Sequence, residues 1–162
     1  MDRKIIGVIS DTHGLIRQEA LEALKESELI VHAGDIGNPQ VIESLRTIAP
    51  VVAVRGNMDN GQWVDSLPKY EIVQAAQTCL YVIHDLNDLD LDPVAAGFSA
   101  VIYGHSHRPS IQLRQGVLLL NPGSAGPRRF DLPISVALIC LEDGKLEPML
   151  IELAIATGPK NK

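Results

Sequence analysis

The chain has 162 residues, 46% of them hydrophobic, which suits one domain with enough apolar side chains to bury a core. Its formal net charge of −6 argues against a general affinity for duplex nucleic acid, which calls for a basic face. No apolar run approaches the roughly 20 residues that span a bilayer, and no secretory signal precedes Asp11, so no membrane association and a cytoplasmic location are expected.

Residues 4–10 (KIIGVIS) read as a first strand. Residues 17–27 follow as an amphipathic helix, with Ala20, Leu21, Ala23 and Leu24 on one face. Residues 29–33 (LIVHA) form the next strand. Asn38-Pro39 starts a second helix: the Asn side chain caps free N–H groups, and Pro lacks the N–H that its position would orphan. That helix turns Val41, Ile42, Leu45 and Ile48 inward and stops before Pro50. A third strand covers 51–54 (VVAV). Residues 70–76 and 79–83 also read as strands, with their pairing left open, and Asp92-Pro93 opens a shorter helical piece before the strand at 100–103 (AVIY).

Two hairpins follow. Gln115-Gly116 separates strands at 111–114 and 117–120, and Asp143-Gly144 separates strands at 134–141 and 146–153. Helix-linked strands followed by hairpins predict an α/β fold of two packed β-sheets flanked by helices, an αββα sandwich. The expected domain is residues 1–157, with 158–162 (GPKNK) as a flexible tail. Cys79 and Cys140 read as small buried hydrophobes in a reducing compartment, with a disulfide between them left open.

Polar residues gather where these strands end. Asp11 and His13 follow the first, Asp35 the second and Asn57 the third; His84 follows CLYVI, and His105 and His107 follow AVIY. The carboxyl ends of strands in a layered α/β fold open onto one crevice. Taken singly, Asp11 reads as a helix cap, Asp35 and Asn57 as turn residues and His84 as a structural histidine. Together they are two carboxylates, one amide and four imidazoles with no thiolate. That set suits Mn²⁺, Ni²⁺, Fe or Zn²⁺, and it exceeds what one tetrahedral ion uses. Two ions sharing a carboxylate is the economical arrangement. The fifth histidine, His32, lies inside its strand and reads as a core residue or a support for the site.

The order DxH, GD, GN, H, GHxH resembles the calcineurin-like metallophosphoesterases, and the short chain resembles their small bacterial and archaeal phosphodiesterase branch. The resemblance runs from about residue 4 to about residue 153 and includes the loop Asn121-Pro122-Gly123-Ser124. It implies a metal-dependent phosphodiesterase that hydrolyses a small phosphate ester through a hydroxide bridging two metal ions, most readily Mn²⁺. By resemblance, Asp11, His13 and His107 hold the first ion, Asn57, His84 and His105 the second, and Asp35 bridges them. Asp11 and His13 address one side if their segment is extended, and Gly104 eases the turn that separates His105 from His107. Arg128, just past the NPGS loop, is the expected substrate contact through its planar fork. A homo-oligomer is left open.

Two positions depart from the family pattern. Met58 stands where many relatives carry a proton-donating histidine, which favours activated diesters over alkyl monoesters. Asp85 stands where relatives commonly have glycine, and it either orients a ligand or crowds the second ion. The alternatives are a phosphomonoesterase of the same fold and a non-catalytic scaffold, since a eukaryotic relative keeps this fold in a membrane-trafficking coat.

Overall fold

A computed structural model of the chain describes residues 3–155, so the expected tail at 158–162 lies outside the described residues. Five strands make the first sheet: β1 (Lys4–Ile9), β2 (Leu29–His32), β3 (Val51–Ala53), β9 (Ser135–Glu142) and β10 (Lys145–Glu152), in the order β10-β9-β1-β2-β3. Five make the second: β4 (Tyr70–Ala75), β5 (Thr78–Ile83), β6 (Ala100–Ile102), β7 (Ser110–Arg114) and β8 (Val117–Asn121), in the order β4-β5-β6-β8-β7. In the first sheet the parallel strands β1-β2-β3 run to one edge and the antiparallel β9 and β10 make the other. In the second, β5-β6-β8 form a parallel centre with antiparallel β4 and β7 at the margins.

The period of two along each strand sorts residues between layers. Ile6, Val8 and Val31 from the first sheet meet Leu80, Val82, Ile102 and Leu120 from the second, giving a closed core between the sheets. On the other face of the first sheet, Ile9, Ile30 and Val136 pack under helices α1 (Gln18–Ala23) and α2 (Pro39–Arg46) through Leu24, Val41 and Leu45. Helix α2 begins as its sequence requires: Asn38 Oδ1 accepts the Val41 N–H at 3.2 Å, and Pro39 takes the first helical position.

The outer face of the second sheet differs from the expected helical cover. Tyr81, Ile83, Val101 and Leu119 pack there against Phe98 and leucines at 86, 89 and 91, carried by a 3-10 turn and a loop. The segment opened by Asp92-Pro93 is a capped turn and no helix. Asp92 Oδ1 accepts the Val94 N–H at 3.0 Å, the Phe98 N–H returns to Pro93 O, and Gly97 leaves with φ of 83°. So short a run does not repay the cost of helix nucleation.

Helix α1 is also shorter than the 17–27 pattern. The chain must turn back by Glu28, whose N–H already bonds Ile5 O to start the β1–β2 ladder. The unpaired strands at 70–76 and 79–83 form one antiparallel hairpin, β4–β5. At the two glycine hairpins both turn residues have positive φ, 52° and 83° at Gln115-Gly116 and 53° and 75° at Asp143-Gly144, the mirror-image turn whose twist matches paired strands. Cys79 and Cys140 are free thiols and only part-buried, and Cys140 Sγ receives the Arg3 Nε–H at 3.1 Å. No helix among the described residues is long and apolar enough to cross a membrane.

Candidate metal centre

The parallel strands of both sheets end on the same rim, and all seven predicted residues stand there. Asp11 and His13 follow β1, Asp35 follows β2, Asn57 follows β3, His84 follows β5, and His105 and His107 follow β6. Asp11, His13 and His107 converge as one group able to hold a cation, and Asp11, Asp35 and His84 as another. Asp11 is common to both, and Asp35 of the second also reaches the first: its Oδ2 is 3.9 Å from His13 Nε2 and 3.3 Å from His84 Nε2. Asn57 Oδ1 sits 2.9 Å from His84 Nε2 and 3.2 Å from His105 Nδ1.

Asp11 Oδ1 decides whether this arrangement fits a metal. The atom is fully buried without a hydrogen-bond partner, yet the Nε2 atoms of His107, His84 and His13 lie 3.4, 3.9 and 4.0 Å away. An orphaned carboxylate oxygen is costly to bury. A cation among these atoms removes that cost, so the residues fit the group. Burial pushes the Asp11 carboxyl up, but the His107 imidazole, the Ser10 hydroxyl and the charge of His84 outweigh it and hold it below the usual carboxylate range. Asp35 behaves alike: burial opposes, while His84 and the Met58 N–H prevail and lower it. His84 moves the other way, burial depressing it and the two aspartates more than restoring it.

The backbone carries strain here. Among the described residues nine non-glycine residues have positive φ, and five of them are Asp11, His13, Asp35, His105 and His107, at 47° to 73°. Such conformations persist only where the surroundings enforce them, and they cluster at functional sites. The expected extended spacing of Asp11 and His13 is thus corrected: a left-handed turn at each residue aims both side chains inward. Gly104 is corrected too. It is absent from the positive-φ residues; its importance is proximity, because a Cβ there would collide with Ser10 Oγ and crowd Asp11 Oδ2. Gly56 is the same case against the backbone and carboxylate of Asp35.

Second-layer contacts hold these turns. Ser10 Oγ donates to Asp11 Oδ2 at 2.7 Å, and the His105 N–H reaches the same oxygen at 3.1 Å. Asn121 of the NPGS loop donates through Nδ2 to Gly104 O and Ser106 Oγ, and Ser124 Oγ donates to Asp11 O. The loop is a brace between strand ends. Asp59 escaped the sequence reading: it is buried and accepts the Gly37 N–H at 3.0 Å and the Gly56 N–H at 2.9 Å. A carboxylate two residues past Asn57, with no helix to cap, was its only signal.

Asp85 lies on the outer side of His105, its Oδ2 3.6 Å from Nε2, while Asn57 faces Nδ1. Its other oxygen caps the Asn87 N–H. Of the two roles open in the sequence, this geometry matches orienting the ring. Arg128 is exposed and donates to Leu132 O of its own loop at 3.3 Å, and no hydrogen bond or ion pair among the described residues ties it to the histidines and aspartates.

His32 is fully buried and links two of the strained loops. The Gly34 N–H donates to its Nδ1 at 3.1 Å, which leaves the proton on Nε2 for Thr12 Oγ1 at 2.9 Å, and Thr12 in turn donates to Ile36 O. Burial lowers its pKa from 6.5 to about 4. Between those values the unfolded chain binds a proton that the folded one does not, so stability falls as the pH drops through this window. The His32 share is ~3 kcal/mol at full extent. Urea unfolding in chelator should therefore show wild type losing more stability than His32→Leu between pH 7 and pH 4. At pH 7 the variant should itself be less stable by ~1–3 kcal/mol, for the orphaned Gly34 N–H. Equal pH profiles would contradict the assignment.

Comparison with known proteins gives the family of the chain. A model of the calcineurin-like phosphoesterase superfamily domain matches residues 5–144. The chain belongs to that superfamily. It is 33% identical over 159 residues to a probable metallophosphoesterase of Methanothermobacter thermautotrophicus, covering 91% of each chain. A probable metallophosphoesterase of Methanocaldococcus jannaschii is 36% identical over 162 residues, covering 92% of this chain and 81% of the relative. A phosphodiesterase of the same organism is 26% identical over 136 residues, covering 73% and 82%. Among solved structures, an archaeal phosphodiesterase superposes with a TM-score of 0.77 at 23% identity, covering 92% of this chain and 99% of that one. Vacuolar Protein Sorting 29 of Cryptosporidium parvum superposes with a TM-score of 0.73 at 21% identity, covering 93% and 98%. At such identities these two likenesses speak for the superfamily fold alone.

Proposed function

We propose that this superfamily member is a phosphodiesterase acting on a small soluble ester, with two divalent cations as cofactors. Asp11, His13 and His107 hold the first, Asn57, His84 and His105 the second, and Asp35 is shared. The observation that carries this reading is the placement of one Asp35 oxygen between His13 and His84, imidazoles of the two sets. When bound, such a pair supplies Lewis-acid activation of water and neutralises charge at phosphorus.

The chain's own residues do the rest. Asp11, Asp35, His84 and His107 form a buried floor, whereas the His105 side chain is 43% exposed and Asn57 is open, so the ester enters from the His105 side. The His84 Nδ1–H donates to Ala33 O at 2.7 Å, which fixes the tautomer and leaves Nε2 free as a ligand. Arg128 belongs to the proposal as a substrate contact. Its loop is anchored to the site, since a Cβ at Gly126 would strike the Asp11 and Thr12 carbonyls, and its guanidinium has one weak bond to give up. The scaffold alternative has only fold likeness behind it. A cytoplasmic location is part of the same reading.

A mixed imidazole and carboxylate set favours Mn²⁺, Fe or Ni²⁺ over Mg²⁺. Chelator-stripped protein should be inactive on bis(p-nitrophenyl) phosphate, and Mn²⁺, Fe²⁺ or Ni²⁺ should restore more turnover than Mg²⁺. Zn²⁺ occupancy needs measuring separately from rate, because tight binding does not guarantee turnover. Activity in the stripped protein, or Mg²⁺ matching the others, would overturn the proposed centre.

A further inference from the structure

Beside Asn57 and His84 a cleft of ≈510 Å³ opens, a size that suits a small organic group. One part of its wall is aromatic, from Tyr70 and Tyr81. Tyr70 stacks on Tyr81, with ring centroids 5.6 Å apart and planes 18° from parallel, and Phe98 tilts against Tyr81 at 5.1 Å. Tyr81 is thereby buried at 2% exposure, while Tyr70, at 55%, keeps a free surface. The Tyr81 hydroxyl makes no hydrogen bond among the described residues, although the residue lines the cleft. Burial first, then the charge of Asp90, which lines the same cleft, pushes its pKa up. Asp88, Asp90 and Lys69 share the lining, and none forms an ion pair among the described residues.

We propose that this cleft is a subsite for a nucleobase, so that the ester handled at the metal centre carries a nucleoside arm. The reaction rests on the phosphodiesterase reading above; the binding rests on the cleft alone. A quaternary or primary ammonium group is the other ligand an acidic aromatic pocket suggests, but it is best held by several ring faces around it. Here stacking hides Tyr81 behind Tyr70 and leaves one flat platform, and Lys69 would repel a cation. A planar base matches the platform. The exocyclic amino group of a base such as adenine matches the free carboxylates and the Tyr81 hydroxyl, in the way that carboxylates accept from base amino groups elsewhere. Its phosphate lies on the side of Asn57 and His84, which line the same cleft.

The test compares two esters that release the same phenol, adenosine 5′-(p-nitrophenyl phosphate) and methyl p-nitrophenyl phosphate, with Mn²⁺-loaded protein. Wild type should prefer the adenosine ester by about tenfold or more in kcat/KM, the order expected for one base on one aromatic ring. Tyr70→Ala should erase about tenfold of that preference, and Tyr70→Phe, which keeps the platform, should retain it. Calorimetric binding of AMP and ribose 5-phosphate gives a readout free of turnover: AMP should bind about tenfold tighter to wild type and to Tyr70→Phe, but not to Tyr70→Ala. Failure to turn over either ester while AMP keeps its advantage would sink the phosphodiesterase reading and support the subsite. Equal binding of AMP and ribose 5-phosphate, or an unchanged preference in Tyr70→Ala, would overturn the subsite.

Discussion

Asp35→Asn should lower turnover of an activated aryl phosphodiester by at least ~10³-fold, equivalent to ~4 kcal/mol at 1.36 kcal/mol per decade. Asp35, like Asp11, is placed between the two imidazole sets, with Oδ2 at 3.9 Å from His13 Nε2 and 3.3 Å from His84 Nε2. An amide cannot carry the charge that two cations would share. The substitution is isosteric, and its carbonyl oxygen can still accept the Met58 N–H that Asp35 Oδ1 now receives at 2.8 Å. The fold should therefore persist while the centre fails. Elemental analysis should find less metal per chain than in wild type, and urea unfolding in chelator should show a native-like transition. A variant that retains both its metal content and its rate would end the two-cation proposal.

Met58→His should raise the hydrolysis of alkyl phosphomonoesters relative to activated diesters, by up to ~10²-fold, the lower end of what general-acid help provides. Met58 is 62% exposed beside Asn57, and it serves the site through its backbone N–H on Asp35. Changing its side chain leaves that bond in place and adds a proton donor where the thioether supplies none. The comparison requires aryl and alkyl leaving groups in both series, because the acid matters only where the leaving group is poor. Wild type that already hydrolyses alkyl monoesters faster than matched diesters would show that another residue gives the proton. The monoesterase reading would then replace the diesterase one.

Much of this protein could be read along the chain because the determining interactions are local. Asn38-Pro39 starts α2 through a cap three residues away, and Asp143-Gly144 makes a hairpin because both residues accept positive φ. Alternation along each strand separates the core between the sheets from the faces outside them. The order of polar groups at strand ends marked all seven residues that the structure brings to one rim, and it pointed to the superfamily before any distance was known.

Tertiary structure decided what depends on approach between distant segments. Gly104 lies 93 positions from Asp11 in the chain, and only the packing of the two sheets shows that its missing Cβ makes room for that carboxylate. Left-handed backbone at five of the seven site residues is unfavourable in isolation, so no local preference announces it; the surrounding loops enforce it through contacts such as the His32–Thr12 bond and the Ser124–Asp11 bond. The side of the His105 ring taken by Asp85, and the stacking that leaves Tyr70 a single free face, follow from the β4–β5 pairing and the neighbouring loop. Periodicity determines what each segment becomes, because that choice is settled over a few residues. Sheet order and register determine which segments meet, because that free energy exists only once distant surfaces are buried together.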